Sequence, residues 1–255
     1  MVLHAGNQHT GTEDALVVAG STELISLDGL HVRLGSWRGS DHIGYLAPLG
    51  DVRRRPIEAG LARLRERGFT RVVTSAIAEP DLAAFSGLGF EEHERLHLLA
   101  HDLATVESAP WRATRRARPL DRDAVLDIDH AAFQPFWQLD REGLADAISA
   151  TPTTRYRVTV DGGKPTGYAV FGLAGDRGYL QRLAVHPSHA GHGLGSILIR
   201  DGLRWLQRRG ASRTLVNTQV TNARALRVYL QHGFVLQSYQ LVVLTAALHG
   251  GSATT

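Results

Sequence analysis

Short apolar runs, separated by glycine, serine and aspartate, fill residues 12–50 and predict a small antiparallel meander. The runs are Ala15 to Val18, Leu24 to Leu27, Leu30 to Leu34 and Ile43 to Leu46. Apolar residues at helical spacing then predict a helix over residues 56–67, because Pro56 suits its first turn and Gly68 its end. A β-branched strand over residues 71–77, a short helix over 82–88 and an alternating strand over 93–103 follow.

A second series of elements begins after residues 107–113, where proline and polar residues interrupt the pattern and predict a linker. An edge strand over residues 114–121 leads to two helices within residues 122–150, which flank an aromatic loop. The pattern then predicts three strands, at 155–161, 166–173 and 178–185. A helix at 194–209, a strand at 213–220, a helix at 222–231 and a long closing strand at 234–244 follow. The sequence Asp161-Gly162-Gly163 predicts a hairpin turn between the first two of these strands.

Part of this pattern occurs twice in the chain. Residues 59–78 align with residues 201–220 without a gap, and GLGF at 87–90 falls on QHGF at 231–234 after a two-residue gap. The order helix, strand, helix, strand is the same in both copies. We therefore predict two α/β units over residues 1–106 and 114–248, a linker at 107–113 and a disordered tail at 249–255.

Composition narrows the range of partners. The formal net charge of +3 is small and rests on arginine, because Lys164 is the only lysine. Scattered arginines without interleaved aromatic residues favour anionic small molecules and argue against nucleic acid. The absence of cysteine excludes disulfides, thiolate metal ligands and cysteine nucleophiles. The sequence has neither a leader pattern nor a membrane span, so we expect a cytoplasmic protein without a membrane partner.

A glycine-rich turn after the strand 178–185 is the first candidate for chemistry. Gly191, Gly193 and Gly195 leave the backbone bare where a helix begins near Leu194, and free N–H groups at a helix start favour phosphate. A dinucleotide fingerprint would need glycine where Ser196 stands, and a P-loop would need Gly-Lys-Ser/Thr. A tight turn without a ligand is the alternative explanation.

A second motif, NARALRVYLQHGF, runs from Asn222 to Phe234. Asn222 stands at a helix start, and Tyr229 shares a helix face with Ala225. Taken singly, Asn222 is explained as a helix cap and Tyr229 as a core aromatic.

In this order, LAVHP at 183–187, AGHGLGS at 190–196 and the motif at 222–234 resemble the GNAT family of acyl-coenzyme A dependent N-acyltransferases. The resemblance covers about residues 114–248. It implies an α/β fold with tandem, mixed and mostly antiparallel twisted sheets flanked by helices. It also implies acetyl-CoA as acyl donor and direct attack by a primary amine in a ternary complex. The first half has PLGDVRR at 48–54 and Phe85 at the position of Tyr229, so we interpret it as a degenerate copy without a phosphate loop.

The resemblance also implies roles for individual residues. The backbone of the strand end would pair with pantetheine and the acyl carbonyl, the loop would bind pyrophosphate, Asn222 would hold the cofactor arm, and Tyr229 would protonate the departing thiolate. The strand-end residues are Leu183, Ala184 and Val185, and the loop residues are Ala190, Gly191, His192, Gly193, Leu194, Gly195 and Ser196. Negative charge develops first on the carbonyl oxygen and then on sulfur, so the Val185 N–H and the Tyr229 hydroxyl are the predicted catalytic groups.

Two departures from the family pattern affect this prediction. Ala190 stands where the family usually has Gln or Arg, so His189 or His192 would supply part of the missing contact. Asn217 stands where peptide-acetylating members often carry Glu, so the general base is unassigned. A non-catalytic acyl-CoA sensor and a mycothiol-synthase-like enzyme acting on an aminosugar conjugate are the alternative functions.

The acceptor is predicted only as an amine on a small molecule, a peptide N-terminus or a lysine. The aromatic loop with Phe133, Phe136 and Trp137 would floor the acceptor pocket together with Asn217, although plain core packing explains the aromatic residues equally well. His186, His189 and His192 lie in a turn rather than a helix, so we predict no metal.

Overall fold

The structure is a computed structural model that describes residues 22–107 and 114–248. The predicted strand at 15–18, most of the linker and the tail at 249–255 lie outside these residues. The described chain forms two compact units, a first unit of residues 22–96 and 239–248 and a second unit of residues 97–107 and 114–238. The predicted halves follow chain order, whereas in the structure residues 239–248 return to the first unit.

The secondary structure comprises twelve strands and five α-helices among the described residues. The strands are β1 (Glu23–Leu27), β2 (Leu30–Ser36), β3 (Ile43–Leu49), β4 (Arg71–Ala78), β5 (Phe90–His101), β6 (Arg115–Arg116), β7 (Thr153–Asp161), β8 (Lys164–Ala174), β9 (Arg177–Val185), β10 (Arg213–Gln219), β11 (Val235–Leu236) and β12 (Leu241–Ala247). The α-helices are α1 (Arg54–Glu66), α2 (Arg122–Ala132), α3 (Arg141–Ser149), α4 (Leu194–Arg208) and α5 (Ala223–Gln231). Short 3₁₀ turns span Glu79–Phe85, Pro119–Asp121, Pro135–Trp137 and Pro187–His189.

The first unit is a mostly antiparallel sheet with one crossover helix. Strands β1, β2 and β3 form the predicted meander, and β3 then runs parallel to β4. The apolar stripe of α1, with Ile57, Leu61 and Leu64, is buried in the core of this unit. Strand β12 lies between β4 and the first part of β5 and is antiparallel to both.

Two predictions about local structure were wrong. The helix expected at 82–88 is a 3₁₀ turn at Glu79–Phe85, because Pro80 lies in its first turn and Gly87 takes a positive φ of 71° just after it. The closing strand expected at 234–244 is two strands, β11 paired with β5 in the second unit and β12 in the first. A continuous apolar run cannot distinguish one long strand from two shorter ones.

The second unit has the strand order β10-β9-β8-β7-β6, in which only the pairing of β10 with β9 is parallel. Helices α2 and α3 cover one hydrophobic cluster, and α4 and α5 contribute to another. Gly162 and Gly163 have φ of 53° and 82°, which confirms the predicted hairpin turn. The edge strand expected at 114–121 is shorter than predicted, because Pro119 begins a 3₁₀ turn. The mixed, mostly antiparallel α/β fold with flanking helices is confirmed.

Candidate active site

Strand β9 has one edge that is unpaired over most of its length. Its pairing with β10 is limited to Arg177 with Arg213, Gly178 with Thr214 and Tyr179 with Leu215. Within the part of the chain that the structure describes, residues 180–185 have no partner on β10, although all of them except Gln181 remain paired with β8 on the other side. The two parallel strands therefore separate and expose backbone groups of β9.

The register of β9 shows which of its N–H groups face this open edge. The His186 N–H donates to the Thr166 carbonyl at 2.9 Å, and bonded residues alternate along an antiparallel pair. Ala184 therefore bonds to β8, whereas Leu183 and Val185 direct their N–H groups to the open edge. Leu183 and Val185 are therefore the strand-end residues whose backbone can contact a ligand, because the Ala184 backbone is bonded to β8.

The glycine turn forms an uncapped helix start beside the end of β9. Gly191 and Gly193 have φ of 86° and 73°, a region that side chains other than glycine rarely adopt. Gly193 is the N-cap of α4, no side chain caps this helix, and its first turn contains no acidic residue. A Cβ at Gly195 would lie 4.0 Å from Val185 Cγ2, which places the helix start next to the strand end.

Backbone N–H groups at this helix start are free to hold an anion. Ile197 donates to the Gly193 carbonyl at 3.0 Å, so the N–H groups of residues 194–196 precede the first bonded turn. Donors of this kind, together with the positive end of the helix dipole, suit a phosphate group. The arrangement has the features expected of the predicted pyrophosphate loop at 190–196.

The loop histidines are held by polar atoms of the same loop. His186 Nδ1 lies 2.6 Å from Ser188 Oγ, which lies 2.9 Å from His189 Nδ1. His192 Nδ1 lies 3.2 Å from the His189 carbonyl oxygen. Among residues 22–107 and 114–248, no group of three His, Cys, Asp or Glu is arranged to hold a metal ion.

Asn222 caps α5, which is one of the two roles considered for it. Its Oδ1 accepts the Ala225 N–H at 3.0 Å, so it caps α5 as a helix-start asparagine should. Its amide nitrogen is left available as a donor.

Tyr229 lies on the following turns of α5 and is buried, with 7% of its surface exposed, in the same cluster that Leu183 and Val185 flank. Burial raises the pKa of its phenol, and the positive charge of Arg182 only partly opposes this rise. The hydroxyl therefore keeps its proton at ordinary pH, as a proton donor must.

The aromatic loop between α2 and α3 divides into buried and half-buried parts. Trp137 is 6% exposed and stacks edge-on with Phe136, with ring centroids 4.9 Å apart. Phe133 and Phe136 are half-buried, so each keeps a surface that an acceptor could contact. Asp140 caps α3 by accepting the Gly143 N–H at 2.7 Å.

Asn217 lies on β10 beyond Leu215, the last residue paired with β9. Its Nδ2 is buried and has no hydrogen-bond partner among the described residues. A buried amide donor of this kind needs a partner. It is therefore consistent with a substrate contact, but it supplies no base.

Sequence reasoning missed a buried ionic network beside this loop. Arg182 on β9 is 3% exposed and Asp129 on α2 is fully buried, and the two form a bidentate pair at 2.7 and 2.8 Å. The signal was present in the sequence, since Gln181 and the charged Arg182 interrupt the otherwise apolar run YLQRLAV. Charged side chains are rarely fully buried unless they are paired.

The chain is similar to known acetyltransferases. The family model described as "Acetyltransferase (GNAT) family" matches residues 122–234. A mycothiol acetyltransferase from Acidimicrobium ferrooxidans is 26% identical over 171 residues, which cover 60% of this chain and 54% of that protein. N-alpha-acetyltransferase 30 from Saccharomyces cerevisiae is 34% identical over 59 residues, 23% of this chain and 34% of that protein. The chain thus spans about half the length of the first relative and a third of the second.

Solved structures share the fold over nearly the whole chain. A tandem GNAT protein from the clavulanic acid biosynthesis pathway superposes with a TM-score of 0.65 and 16% identity, over 91% of this chain and 85% of that one. A GCN5-related N-acetyltransferase from Kribbella flavida gives a TM-score of 0.60 and 15% identity, over 91% of each chain. At these identities the similarity establishes the fold alone.

Proposed function

We propose that the second unit, in which residues 122–234 match the GNAT acetyltransferase family, transfers an acetyl group from acetyl-CoA to a primary amine. The observation that carries the proposal is the juxtaposition of the open edge of β9 with the uncapped start of α4. A thioester donor with a pyrophosphate needs backbone donors along its arm and an anion site at its end. The second unit offers both within one strand-turn-helix segment.

Binding would use the two halves of this segment differently. The N–H groups at residues 194–196 and the bare backbone at Gly191 and Gly193 would hold the pyrophosphate. The amide nitrogen of Asn222 would donate to the pantetheine arm. The Leu183 backbone would pair with the arm along the open edge of β9, so the acyl carbonyl would lie near Val185. His192 would add a polar contact at the loop, where Ala190 has none.

Catalysis would proceed by direct attack in a ternary complex. The amine nitrogen forms a bond to the acyl carbon, and the Val185 N–H donates to the carbonyl oxygen as it becomes negative. One such donor is worth about 3 kcal/mol in a transition state of this type. The carbon–sulfur bond then breaks, and Tyr229 gives its proton to the thiolate. The amine loses its proton to water, and the Tyr229 phenolate takes a proton back from water, so the phenol is restored.

The acceptor would lie on the other side of the acyl group, against the half-buried Phe133 and Phe136 and the unpaired amide of Asn217. Two acceptor classes have support from relatives: an aminosugar conjugate, because one relative is a mycothiol acetyltransferase, and a peptide N-terminus, because another is an N-alpha-acetyltransferase. The first unit is proposed as a degenerate copy that supports the second, and the site is proposed to function in the cytoplasm. Among the described helices, none is long and apolar enough to cross a membrane.

The test is release of free coenzyme A from acetyl-CoA in the presence of four amines: cysteinyl-glucosamine, glucosamine, spermidine and an alanine-initiated tripeptide. We expect amine-dependent release with at least one of them, and much less with Tyr229→Phe. Coenzyme A binding without release for any amine would contradict the enzymatic function and favour an acyl-CoA sensor. Absence of both binding and release would contradict the cofactor assignment as well.

A further inference from the structure

The buried pair of Asp129 and Arg182 fastens the aromatic loop to β9. The Arg182 Nη2 donates to the Trp137 carbonyl at 2.7 Å as well as to Asp129. The Leu139 N–H donates to Asp129 Oδ1 at 2.7 Å. The loop is thus bonded to Arg182 through Trp137 and to Asp129 through Leu139.

A third contact fixes the beginning of the loop. The Arg182 Cζ lies 3.6 Å from the centroid of the Phe133 ring, which is a cation–π contact at close range. Phe133 also donates its N–H to the Asp129 carbonyl at 3.0 Å at the end of α2. The arginine therefore determines the position of an aromatic ring that we assign to the acceptor side.

The pair is itself held rigidly from β8. The Tyr168 hydroxyl donates to Asp129 Oδ2 at 2.5 Å, and Tyr168 is fully buried. Burial raises the pKa of this phenol, so it remains a donor. Burial alone would lower the pKa of Arg182, but Tyr168 and Asp129 raise it above its ordinary value, so the guanidinium stays charged.

The position of Arg182 along β9 connects this network to the reaction. Arg182 lies in the segment of β9 that has no partner on β10, three residues before Val185. The register between β8 and β9 shifts between Val170 and Phe171, so Gln181 is a bulge residue directly before Arg182. Bulges redirect side chains and are frequent near active sites.

We propose that Asp129 and Arg182 are positioning residues for the amine acceptor, because they fasten the loop of residues 133–139 to the segment of β9 that has no partner on β10. This inference rests on the proposed acetyl transfer in the second unit. The pair does not contact the phosphate loop at 190–196, so its loss would disturb acceptor placement and leave coenzyme A binding intact. Small displacements of a bound reactant can lower a rate about 10²-fold.

The competing explanation is an ion pair that only stabilises the fold. Buried ion pairs can often be replaced by apolar side chains of similar volume without loss of stability, whereas removal of one partner strands a buried charge. The double variant Asp129→Leu with Arg182→Met removes both charges together. Arg182→Lys keeps the charge but loses the bidentate geometry and the planar stacking on Phe133.

A matched control is available in the same unit. Arg155 on β7 and Asp201 on α4 form a bidentate pair at 2.8 and 2.9 Å that, among the described residues, makes no hydrogen bond with the aromatic loop. The double variant Arg155→Met with Asp201→Leu removes a similar pair and should leave the loop unchanged.

The experiment measures hydrogen exchange of segments 133–139 and 190–196 by mass spectrometry, coenzyme A affinity by calorimetry, and the kinetics of the best amine of the panel. In the Asp129/Arg182 double variant we expect exchange in 133–139 to rise about tenfold and the amine kcat/KM to fall about 10²-fold. We expect coenzyme A affinity and exchange in 190–196 to stay within about twofold. Arg182→Lys should show the same pattern more weakly, and the control pair should not show it.

Unchanged hydrogen exchange of residues 133–139 in the Asp129/Arg182 double variant would overturn the inference. A parallel loss of coenzyme A affinity and activity would also overturn it, because a general loss of structure has that effect. If the wild type binds no coenzyme A, the proposed function fails, but the exchange of 133–139 still decides whether the pair holds the loop.

Discussion

Both units contain a strand-helix-strand crossover with parallel strands, and we propose that only the crossover of the second unit binds coenzyme A. In the first unit β3, α1 and β4 form the crossover, and in the second β9, α4 and β10 form it. The pairing of β3 with β4 ends at Leu46 and leaves three residues of β3 without a partner on β4, whereas residues 180–185 of β9 have no partner on β10. The shared topology therefore leaves a short open edge in the first unit and one twice as long in the second.

The two helix starts differ in a similar way. α1 begins after Arg53, and Arg54 in its first turn donates to Glu58 at 2.8 Å and to the Ser86 carbonyl at 2.7 Å. α4 begins after Gly193 with no charged residue in its first turn. Neither helix has a side-chain cap, but Pro56 removes one backbone donor from the first turn of α1, whereas residues 194–196 at the start of α4 all keep their N–H groups.

The third difference concerns a single hydroxyl group. Tyr229 and Phe85 occupy aligned positions, and both are buried. Phe85 packs edge-on against Phe90, with ring centroids 5.2 Å apart, in a 3₁₀ turn rather than a helix. An open edge, a free helix start and a buried phenol occur together only in the second unit, among the described residues.

The largest expected effect follows from removing the phenol. Tyr229→Phe should lower kcat about 10²-fold, because the thiolate would leave without a positioned proton donor. Steady-state kinetics with acetyl-CoA and the best amine of the panel measure this. The affinity for coenzyme A should be unchanged, and an unaltered kcat would remove Tyr229 from the role of acid.

The reverse substitution in the first unit serves as its control. Phe85→Tyr places a hydroxyl in an apolar core and should destabilise the chain by about 1–3 kcal/mol if it finds no partner. Urea unfolding measures the loss. It should leave kcat unchanged below the unfolding transition, and a change in kcat would mean that the first unit takes part in the chemistry.

The next largest effect concerns the glycine turn. Gly193→Val should weaken coenzyme A binding more than about tenfold, because a β-branched residue at a φ of 73° is strained and covers the free N–H groups. Calorimetric titration measures the affinity.

Gly50→Val is the matched control, since Gly50 has a φ of 78° and, like Gly193, no atom near its missing side chain. It should cost stability without changing coenzyme A affinity. Equal affinity in wild type and Gly193→Val would contradict the phosphate loop.

A smaller effect separates the two roles of Asn222. Asn222→Asp keeps the oxygen that caps α5, and aspartate caps a helix as well as asparagine does. It removes the amide donor, so coenzyme A affinity should fall about fivefold, near 1 kcal/mol, while Tm is unchanged. Asp140→Asn, the cap of α3, is the control and should change neither quantity. If Asn222→Asp lowered Tm and left coenzyme A affinity unchanged, Asn222 would act only as the cap of α5.

The smallest expected effect concerns the pH profile of kcat, which should show no fall at alkaline pH. Burial raises the pKa of Tyr229, so its phenol should stay protonated through the range in which an ordinary tyrosine, with a pKa of about 10, ionises. The kcat of the wild type should therefore not fall between pH 8 and about 10. A fall centred near pH 9 would show that the acid is a different group.

Local patterns predicted most of the fold because each element has its own periodicity and its own end signals. The α4 helix was expected at 194–209 and occurs at Leu194–Arg208, bounded by Gly193 and Gly210. The split of the closing run into β11 and β12 was not predicted, because it depends on pairing with β4 and β5, which are distant in sequence.

The site divides in the same way. The glycine turn and the Asn222 cap are local features and were found from spacing. The separation of β9 from β10 and the pairing of Asp129 with Arg182 are tertiary features, since these partners are joined only by the fold. The orientation of Val185 away from β8 also depended on the register, which no single-sequence pattern gives.

Titration calorimetry of the intact chain with coenzyme A tests the difference between the two units most directly. The proposed assignment of the cofactor site to the second unit predicts one molecule bound per chain. Two molecules per chain, or none, would contradict it.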